Sequence, residues 1–370
     1  MAYQHDDRIV LTLDAGGTNF VFSAIQGNKE IVDAITLPSH ANDLDKCLET
    51  ITNGFSQVKE KASGMPVAIS FAFPGPADYP NGVIGDLANL PSFRGGVALG
   101  PMLERQFNLP VYINNDGDLF AYGEAIAGFL PWVNEQLEKA GSPKRYKNLL
   151  GLTFGTGFGA GIVTDGELFL GDNSAAAEIW SMRNKVRPDS FVEEGVSIRG
   201  VQKAYARRVG AEGWQALSPK DIYNIAEGIR EGDAQAAKEA FAELGVVAGD
   251  SIANASILID GLVVFGGGLA GAQKYFLRTL VHEMNAPLKS YEGIQVHRME
   301  STVYNLEDEQ ELATFLKGEA TMVTIPGSSD KVPYDPLKRI GIGVSKLGAS
   351  QAISIGAYAF ALHAIDKQEG

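Results

Sequence analysis

The chain has one cysteine in 370 residues. Cys47 permits no intrachain disulfide and no cysteine-built zinc site, and it sits in a helical-period segment, where a packed thiol is expected. Lysine and arginine number 31 against 45 acids, a formal net charge of -14 at pH 7. A nucleic-acid surface needs clustered basic side chains to neutralise phosphates, so this balance argues against one. No uninterrupted apolar run reaches membrane-spanning length, and "MAYQHDDRIV" has neither the basic flank nor the apolar stretch of a signal peptide. No membrane partner is expected, and the cytoplasm is the default location. The P-loop pattern G-x-x-x-x-G-K-[ST] is also missing. What remains is 45% hydrophobic and 21% charged, ordinary for a globular protein, and the length favours two domains.

Glycine, by contrast, is plentiful and patterned. "LTLDAGGTNFVFSAI", residues 11 to 25, places an acid and two glycines between apolar runs, and "LLGLTFGTGFGAGIV" repeats the pattern 138 positions later without the acid. Each predicts a strand–turn–strand hairpin. Glycine lets a backbone approach a ligand closely, and successive N–H groups in such turns form anion-binding concavities. Gly16, Gly17, Thr18 and Asn19 in the first turn, and Gly155, Thr156 and Gly157 in the second, are therefore candidates to hold a polyphosphate. A single such turn would read as an ordinary hairpin. The repeat and the acid favour the phosphate reading. Asp14 has Leu152 as its counterpart, so the acid lies outside the repeat's structural logic; beside phosphates it needs a cation, and Mg²⁺ held directly or through water fits. "GTGFGA" matches the dinucleotide fingerprint, but a strand rather than a helix follows it, so that reading is rejected. A third cluster, Gly266, Gly267 and Gly268 in "VVFGGG", joins a buried strand to a helix and would let adenosine lie against the backbone.

Strands are expected at 8–37, in "MPVAISFAF", "LPVYINND", "LLGLTF", "GAGIVTD", "GELFLG" and "DGLVVFGGG". Helices are expected over 42–62, in "VALGPMLERQF" and "GDLFAYGEAIAGF", over 197–209, 218–230 and 233–256, in "AQKYFLRTLVHEM", near 309–317 and over 349–366. The alternation predicts an α/β fold with mixed sheets, and the repeat predicts two related halves. "PWVNEQLEKAGSPKRYKN" reads as a domain junction and 326–336 as a loop. The expected domains are 1–128, with the C-terminal helix at about 349–370 packing back on it, and 129–348. Asp116, in "VYINNDGDLFAYGEA", stands where a strand meets a helix, suited either to capping that helix or to general-base chemistry. Glu124 is expected to be structural.

"LDAGGTNF", "INNDG", "GTGFGAG" and "VVFGGG" occur in the order of the phosphate-1, connect, phosphate-2 and adenosine motifs of the hexokinase–actin–Hsp70 superfamily. Within it the chain most resembles ROK sugar kinases and bacterial glucokinases, over nearly its whole length. The resemblance implies a two-domain actin-like ATPase (ribonuclease H-like) fold, with duplicated mixed β-sheets flanked by helices and an interdomain cleft. It implies an ATP-dependent sugar kinase using Mg²⁺. Asp116 would be the catalytic base, and Asn89, Asn115, Glu178 (in "AAAEIW") and Glu193 (in "VEEGVS") would face the sugar, with Glu194 the alternative to Glu193. The sequence departs from the family in having Ser181 at the position of the histidine of "GEIGH", with Trp180 before it, and in lacking the His-and-Cys zinc segment, so no zinc site is expected. Both leave the sugar open between a hexose and an amino-hexose. A homodimer is compatible by resemblance alone. The competing readings are a catalytically weak sugar-binding or regulatory ROK protein, a sugar-sensing repressor, which would need an N-terminal DNA-binding domain ahead of residue 8, and an actin-like or chaperone ATPase, which would need no sugar site.

Overall fold

Alternating strands and helices build two six-stranded sheets, with three two-stranded sheets beside them. The computed structural model describes residues 3–16, 18–75, 77–85 and 92–369. Chain order in the first 128 residues is β1 (Ile9–Ala15), β2 (Asn19–Gln26), β3 (Lys29–Glu30), β4 (Ile35–Pro38), α1 (Leu44–Lys61), β5 (Pro66–Ala72), β6 (Ala77–Asp78), β7 (Val83–Ile84), α2 (Leu99–Phe107), β8 (Val111–Asn114) and α3 (Asp116–Ile126). It continues with α4 (Phe129–Lys139), β9 (Leu149–Phe154), β10 (Phe158–Thr164), β11 (Glu167–Leu168), α5 (Ile198–Val209), α6 (Pro219–Ala226), α7 (Ala234–Ile259), β12 (Leu262–Gly266) and α8 (Gln273–Asn285). The remainder is β13 (Leu288–Lys289), β14 (Gln295–Val296), β15 (Thr302–Asn305), α9 (Glu309–Lys317), β16 (Thr321–Thr324), β17 (Lys331–Tyr334), β18 (Arg339–Val344) and α10 (Ala349–Glu369).

Packing divides the chain into a first unit, residues 1–128, 161–176 and 347–370, and a second, residues 129–160 and 177–346. The first sheet has the order β3-β2-β1-β5-β8, with β4 also on β2. β1 and β2 are antiparallel, whereas β1, β5 and β8 run parallel. The second sheet repeats this plan: β10 and β9 neighbour each other, and β9, β12 and β18 run parallel, with β15 beyond. A hairpin followed by two parallel strands thus occurs twice, as the sequence repeat predicts.

β1 is buried on both faces from Ile9 to Leu13, which is why that stretch is apolar apart from Thr12. Ile9, Leu11 and Leu13 join Phe22, Phe55 and Phe71 in one core. Val10 faces the other way, against Ala68, Tyr358 and Leu362. Cys47 belongs to the first core, and burial pushes its thiol pKa up to about 11, so it is a packed, inert thiol. α3 and α10 meet backbone to backbone. A Cβ on Gly123 would lie 1.9 Å from the Ala352 carbonyl oxygen, and one on Gly356 1.9 Å from that of Leu119. No other residue fits at either contact.

Three expectations are corrected. Residues 129–139 form α4 rather than a junction: Phe129, Leu130, Val133 and Leu137 are buried at helical spacing, and the polar residues are its exposed face. Pro131 lies in the first turn, where its missing N–H costs nothing. Residues 161–176 pack with the first unit. The reason is local: at Gly161 a Cβ would meet the Gly117 carbonyl oxygen at 2.5 Å and the Ala121 Cβ at 2.8 Å, so β10 lies directly on α3. Part of the expected loop at 326–336 is strand, because β16 and β17 pair as a hairpin, Thr321 opposite Tyr334 and Thr324 opposite Lys331. Among the described residues α7 is the one helix long and apolar enough to cross a membrane, but more than half of its apolar window is buried against protein. It is a core helix, packed on α8 and α5.

Candidate active site

In the first unit, the acids collect at one sheet edge. β1, β5 and β8 are parallel neighbours, and their register sets Asp14 level with Ala72 and Ala72 level with Asn114. Asp116 follows two residues later, as the first residue of α3. The helix cap is Asn115, not Asp116: the Asn115 Oδ1 accepts from the Gly117 N–H at 2.6 Å. The same N–H also approaches the Asp116 Oδ1, at 2.8 Å. Capping is therefore taken by the neighbour, and the Asp116 carboxylate is open to other chemistry.

Both carboxyls are displaced upward. Burial raises that of Asp14. Burial is also the main cause for Asp116, with the charge of Asp14 adding to it, against the lowering effect of the backbone N–H groups. Each side chain is nevertheless exposed by surface area. The rise thus reflects protein crowded around an accessible carboxylate, not isolation from water. A pair of mutually repelling acids at a sheet edge suits a hard cation. No group of three or more His, Cys, Asp or Glu side chains that could hold a metal exists among the described residues, so those residues alone offer no complete metal cage. Mg²⁺ fits such a sparse set, because it binds through one or two carboxylates and takes its other ligands from phosphates and water.

The first glycine turn follows Asp14. A Cβ on Gly16 would stand 2.8 Å from the Asn19 carbonyl oxygen, so the turn is too tight for a side chain there. Thr18 and Asn19 are exposed. Gly17 and Asn89 lie outside the described residues. Glu124 is structural: it is fully buried and accepts from the Leu347 N–H at 3.2 Å.

In the second unit, two glycine motifs far apart in sequence converge. The Leu269 N–H donates to the Phe154 carbonyl oxygen at 3.0 Å, and Gly267, at φ +94°, passes so close to Phe154 that a Cβ would be 2.5 Å from that oxygen. The turn at Gly155, Thr156 and Gly157 is therefore tied to Gly266–Gly268. Beside the latter opens a cavity of about 240 Å³ lined by Lys220, Tyr223, Phe241, Gly268, Leu269 and Ala272. Sequence reading missed Lys220, Tyr223 and Phe241. They come from α6 and α7, and no motif marks them; only the structure shows that these helices reach the glycine loop.

Glu193 sits under the second glycine turn. Its Oε2 accepts from the Phe158 N–H at 3.0 Å, and its Oε1 from the Arg199 guanidinium at 2.5 Å. Glu194 pairs instead with Arg199 and Lys203, which hold its carboxyl below the ordinary value. Glu193 thus buttresses the turn with one oxygen and is fixed by Arg199 with the other. Glu178 is built differently. It is the central residue of an inverse γ-turn, with φ -69° and ψ 53°, closed by the Ile179 N–H on the Ala177 carbonyl oxygen at 2.6 Å. Ala177 before it has φ 60°, a left-handed conformation that is costly for a residue with a Cβ. The Glu178 carboxylate is exposed and accepts from the Trp180 indole N–H.

These two hairpins, the sheet-edge acids and the paired glycine loops can be set beside known proteins. The model of the ROK family matches residues 10–311. The chain belongs to the ROK family. A crystal structure of a glucokinase from Parabacteroides distasonis is 58% identical, covers 98% of this chain and 99% of its own, and superposes with a TM-score of 0.90. An N-acetyl-D-glucosamine kinase from Vibrio cholerae is 29% identical over 272 residues, 70% of this chain and 83% of the relative. A ROK family glucokinase from Streptomyces griseus, solved with glucose and AMPPNP, covers 95% of this chain and 98% of its own at 18% identity and a TM-score of 0.59, a likeness of fold. The ROK chain accordingly has the actin-like ATPase fold, with its duplicated mixed sheets.

Proposed function

We propose that this ROK protein transfers the γ-phosphoryl group of Mg·ATP to a hydroxyl of a hexose or amino-hexose, with Asp116 as general base. It is an ATP-dependent sugar kinase; glucokinase and N-acetyl-D-glucosamine kinase are the activities carried by the relatives it resembles. The observation that carries the assignment of Asp116 is its geometry: a surface-accessible carboxylate at the first residue of α3, on the same sheet edge as Asp14, while Asn115 is the N-cap.

In this reading Asp116 accepts the proton of the attacking sugar hydroxyl. Phosphoryl transfer asks little covalent chemistry of the protein, so most of the acceleration comes from positioning and charge neutralisation. The Asn115 Oδ1 is engaged in the helix cap, so its Nδ2 would meet a sugar hydroxyl. Asn89, Glu178 and Glu193 complete the proposed sugar contacts. Thr18, Asn19 and the backbone N–H groups of both glycine turns would hold phosphate oxygens. Asp14 would hold Mg²⁺, directly or through water, and the ion would neutralise phosphate charge. The cavity beside Gly268 would take the adenine, with Tyr223 and Phe241 as its apolar walls.

A coupled ADP-release assay over a panel of hexoses and N-acetyl-hexosamines tests the reading. Sugar-dependent turnover is expected, and its absence on every sugar would remove the assignment. In the same assay Tyr223→Ala is expected to raise KM for ATP by about tenfold, through loss of an aromatic contact, with KM for the sugar unchanged. An equal rise in both constants would place Tyr223 elsewhere. Asp14→Asn is expected to increase the Mg²⁺ concentration needed for half-maximal rate; an unaltered Mg²⁺ dependence would exclude Asp14 from the metal site.

A further inference from the structure

Two large aromatic side chains stand exposed together in the second unit. Trp180 is 40% and Phe191 36% accessible, and their rings meet edge to face at 5.8 Å. They are not on a loose tip. Arg183 and Phe191 form a β-bridge, the Val192 N–H donates to the Met182 carbonyl oxygen at 2.8 Å, and the Asn184 N–H to that of Ser190 at 3.0 Å. The buried Asn184 side chain binds the connecting turn, its Oδ1 accepting from the Val186 and Arg187 N–H groups at 2.9 and 3.0 Å. The aromatic corner is thus fixed by backbone pairing while both rings remain partly open to solvent.

The corner stands directly against Glu178. The Trp180 indole N–H donates to the Glu178 Oε2, and the Ser181 hydroxyl donates to the Glu178 carbonyl oxygen at 2.8 Å. Together with the γ-turn and the left-handed Ala177, these contacts hold an exposed glutamate in one place. A free glutamate loses rotamer freedom whenever it binds a ligand, and a carboxylate already held avoids that loss. Indole is a donor only, so it engages one carboxylate oxygen and leaves the other for a ligand.

We infer that Trp180 is a positioning and specificity residue for the sugar: its N–H fixes Glu178, and its ring, with that of Phe191, walls the apolar C–H face of the same pyranose. The inference rests on the reading of Glu178 as a sugar ligand. A pyranose has an edge of hydroxyls and faces of C–H groups. A fixed carboxylate flanked by open aromatic rings complements both at once. Trp180 does not touch the transferred phosphoryl group in this scheme, so its contribution is uniform binding, felt in KM and not in kcat.

The decisive variant is Trp180→Phe, which keeps a ring and removes the N–H. With the sugar that the wild type turns over fastest, KM for that sugar is expected to rise about tenfold, the usual cost of a lost hydrogen bond to a charged group. kcat and KM for ATP should stay within about twofold of wild type. Phe191→Ala should likewise raise only the sugar KM, and should change the preference between hexose and N-acetyl-hexosamine. A second measurement does not depend on turnover. The chain has three tryptophans, so Trp132→Phe with Trp214→Phe leaves Trp180 as the sole indole emitter. Its emission should shift saturably as the sugar is added without nucleotide. Wild-type turnover with an unchanged KM in Trp180→Phe and no emission shift overturns the inference and leaves the kinase reading intact. A saturable shift in a protein that turns over no sugar keeps the inference and removes the kinase reading.

Discussion

Asp116→Asn is expected to lower sugar-dependent ADP release by about 10²- to 10⁴-fold, the usual contribution of a positioned general base. KM for ATP should be unchanged, because Asp116 would act on the hydroxyl and not on the nucleotide. The pH profile supplies a second signature. Burial and the neighbouring charge of Asp14 lift the Asp116 carboxyl above its ordinary value of 3.8, so the acid limb of the wild-type kcat/KM profile should lie above that pH. Stability should move the other way from activity. For an acid whose folded-state pKa is raised, the fold favours the protonated form, and stability falls as pH rises through the raised value. At neutral pH the wild type carries that disfavoured charge, and asparagine does not. The variant should therefore melt no lower than wild type while being nearly inactive. A large drop in melting temperature, or activity within tenfold of wild type, would assign Asp116 a structural role instead.

The second large effect concerns Arg339. Its side chain is fully buried and pairs with Asp335, which is 8% exposed, at 2.6 Å. It also donates to the Leu337 carbonyl oxygen at 3.2 Å and lies over the Phe315 ring at 5.5 Å. Asp335 in turn accepts from the Glu319 and Leu337 N–H groups, each at 3.1 Å. Through Asp335 this ion pair ties both ends of the β16–β17 hairpin, Glu319 and Asp335, to Arg339 of β18, in a segment for which the sequence suggested no role. Removing one partner of a buried pair strands the other, so Arg339→Met should cost about 3–5 kcal/mol. Adding Asp335→Leu should recover much of it, because the stranded charge is then gone. Urea unfolding followed by tryptophan emission reads this directly, since Trp132, Trp180 and Trp214 all lie in the second unit. Equal midpoints for Arg339→Met and wild type would refute the anchoring role. Burial alone would raise the Asp335 carboxyl, but the Arg339 hydrogen bond and the two backbone N–H groups bring it below 3.8. The pair's stabilisation should therefore be present above that value and fade as pH falls through the lowered one.

Sequence reading reached the elements and much of the site for a common reason: periodicity and glycine turns are local. The strand–turn–strand repeat, the acid that breaks it and the acid ending "INND" are visible without any fold. What was not legible depends on distant partners. Asp116 and Asn115 are equally good caps in sequence, and only the backbone, extended at Asn115 and helical from Asp116 onward, shows that Asn115 takes the role. Pro and Gly around α4 read as a junction because the apolar positions that make it a helix have meaning only once a core exists to bury them. Tyr223 and Phe241 sit on helices that carry no motif, and their place beside Gly268 is a product of packing. Residues 161–176 carry no signal at all of the unit they join, since the contact of Gly161 with α3 is a matter of absent side-chain volume.

The close crossing of α3 and α10 has a consequence for biosynthesis. The first unit is not finished when its first 128 residues are made, because Tyr358, Ala361 and Leu362 of the last helix cover the face formed by Val10, Ile25 and Ala68. At the usual pace of about 5–20 residues per second, that apolar face waits roughly twelve to forty-six seconds for its cover. Near the end of that interval, once residue 346 is made, the intervening unit has all of its own residues, while its N-terminal neighbour still lacks α10. The chain thus reverses the common order in which domains mature from the N-terminus, and the nascent protein carries a sticky surface that a ribosome-associated chaperone would be expected to shield.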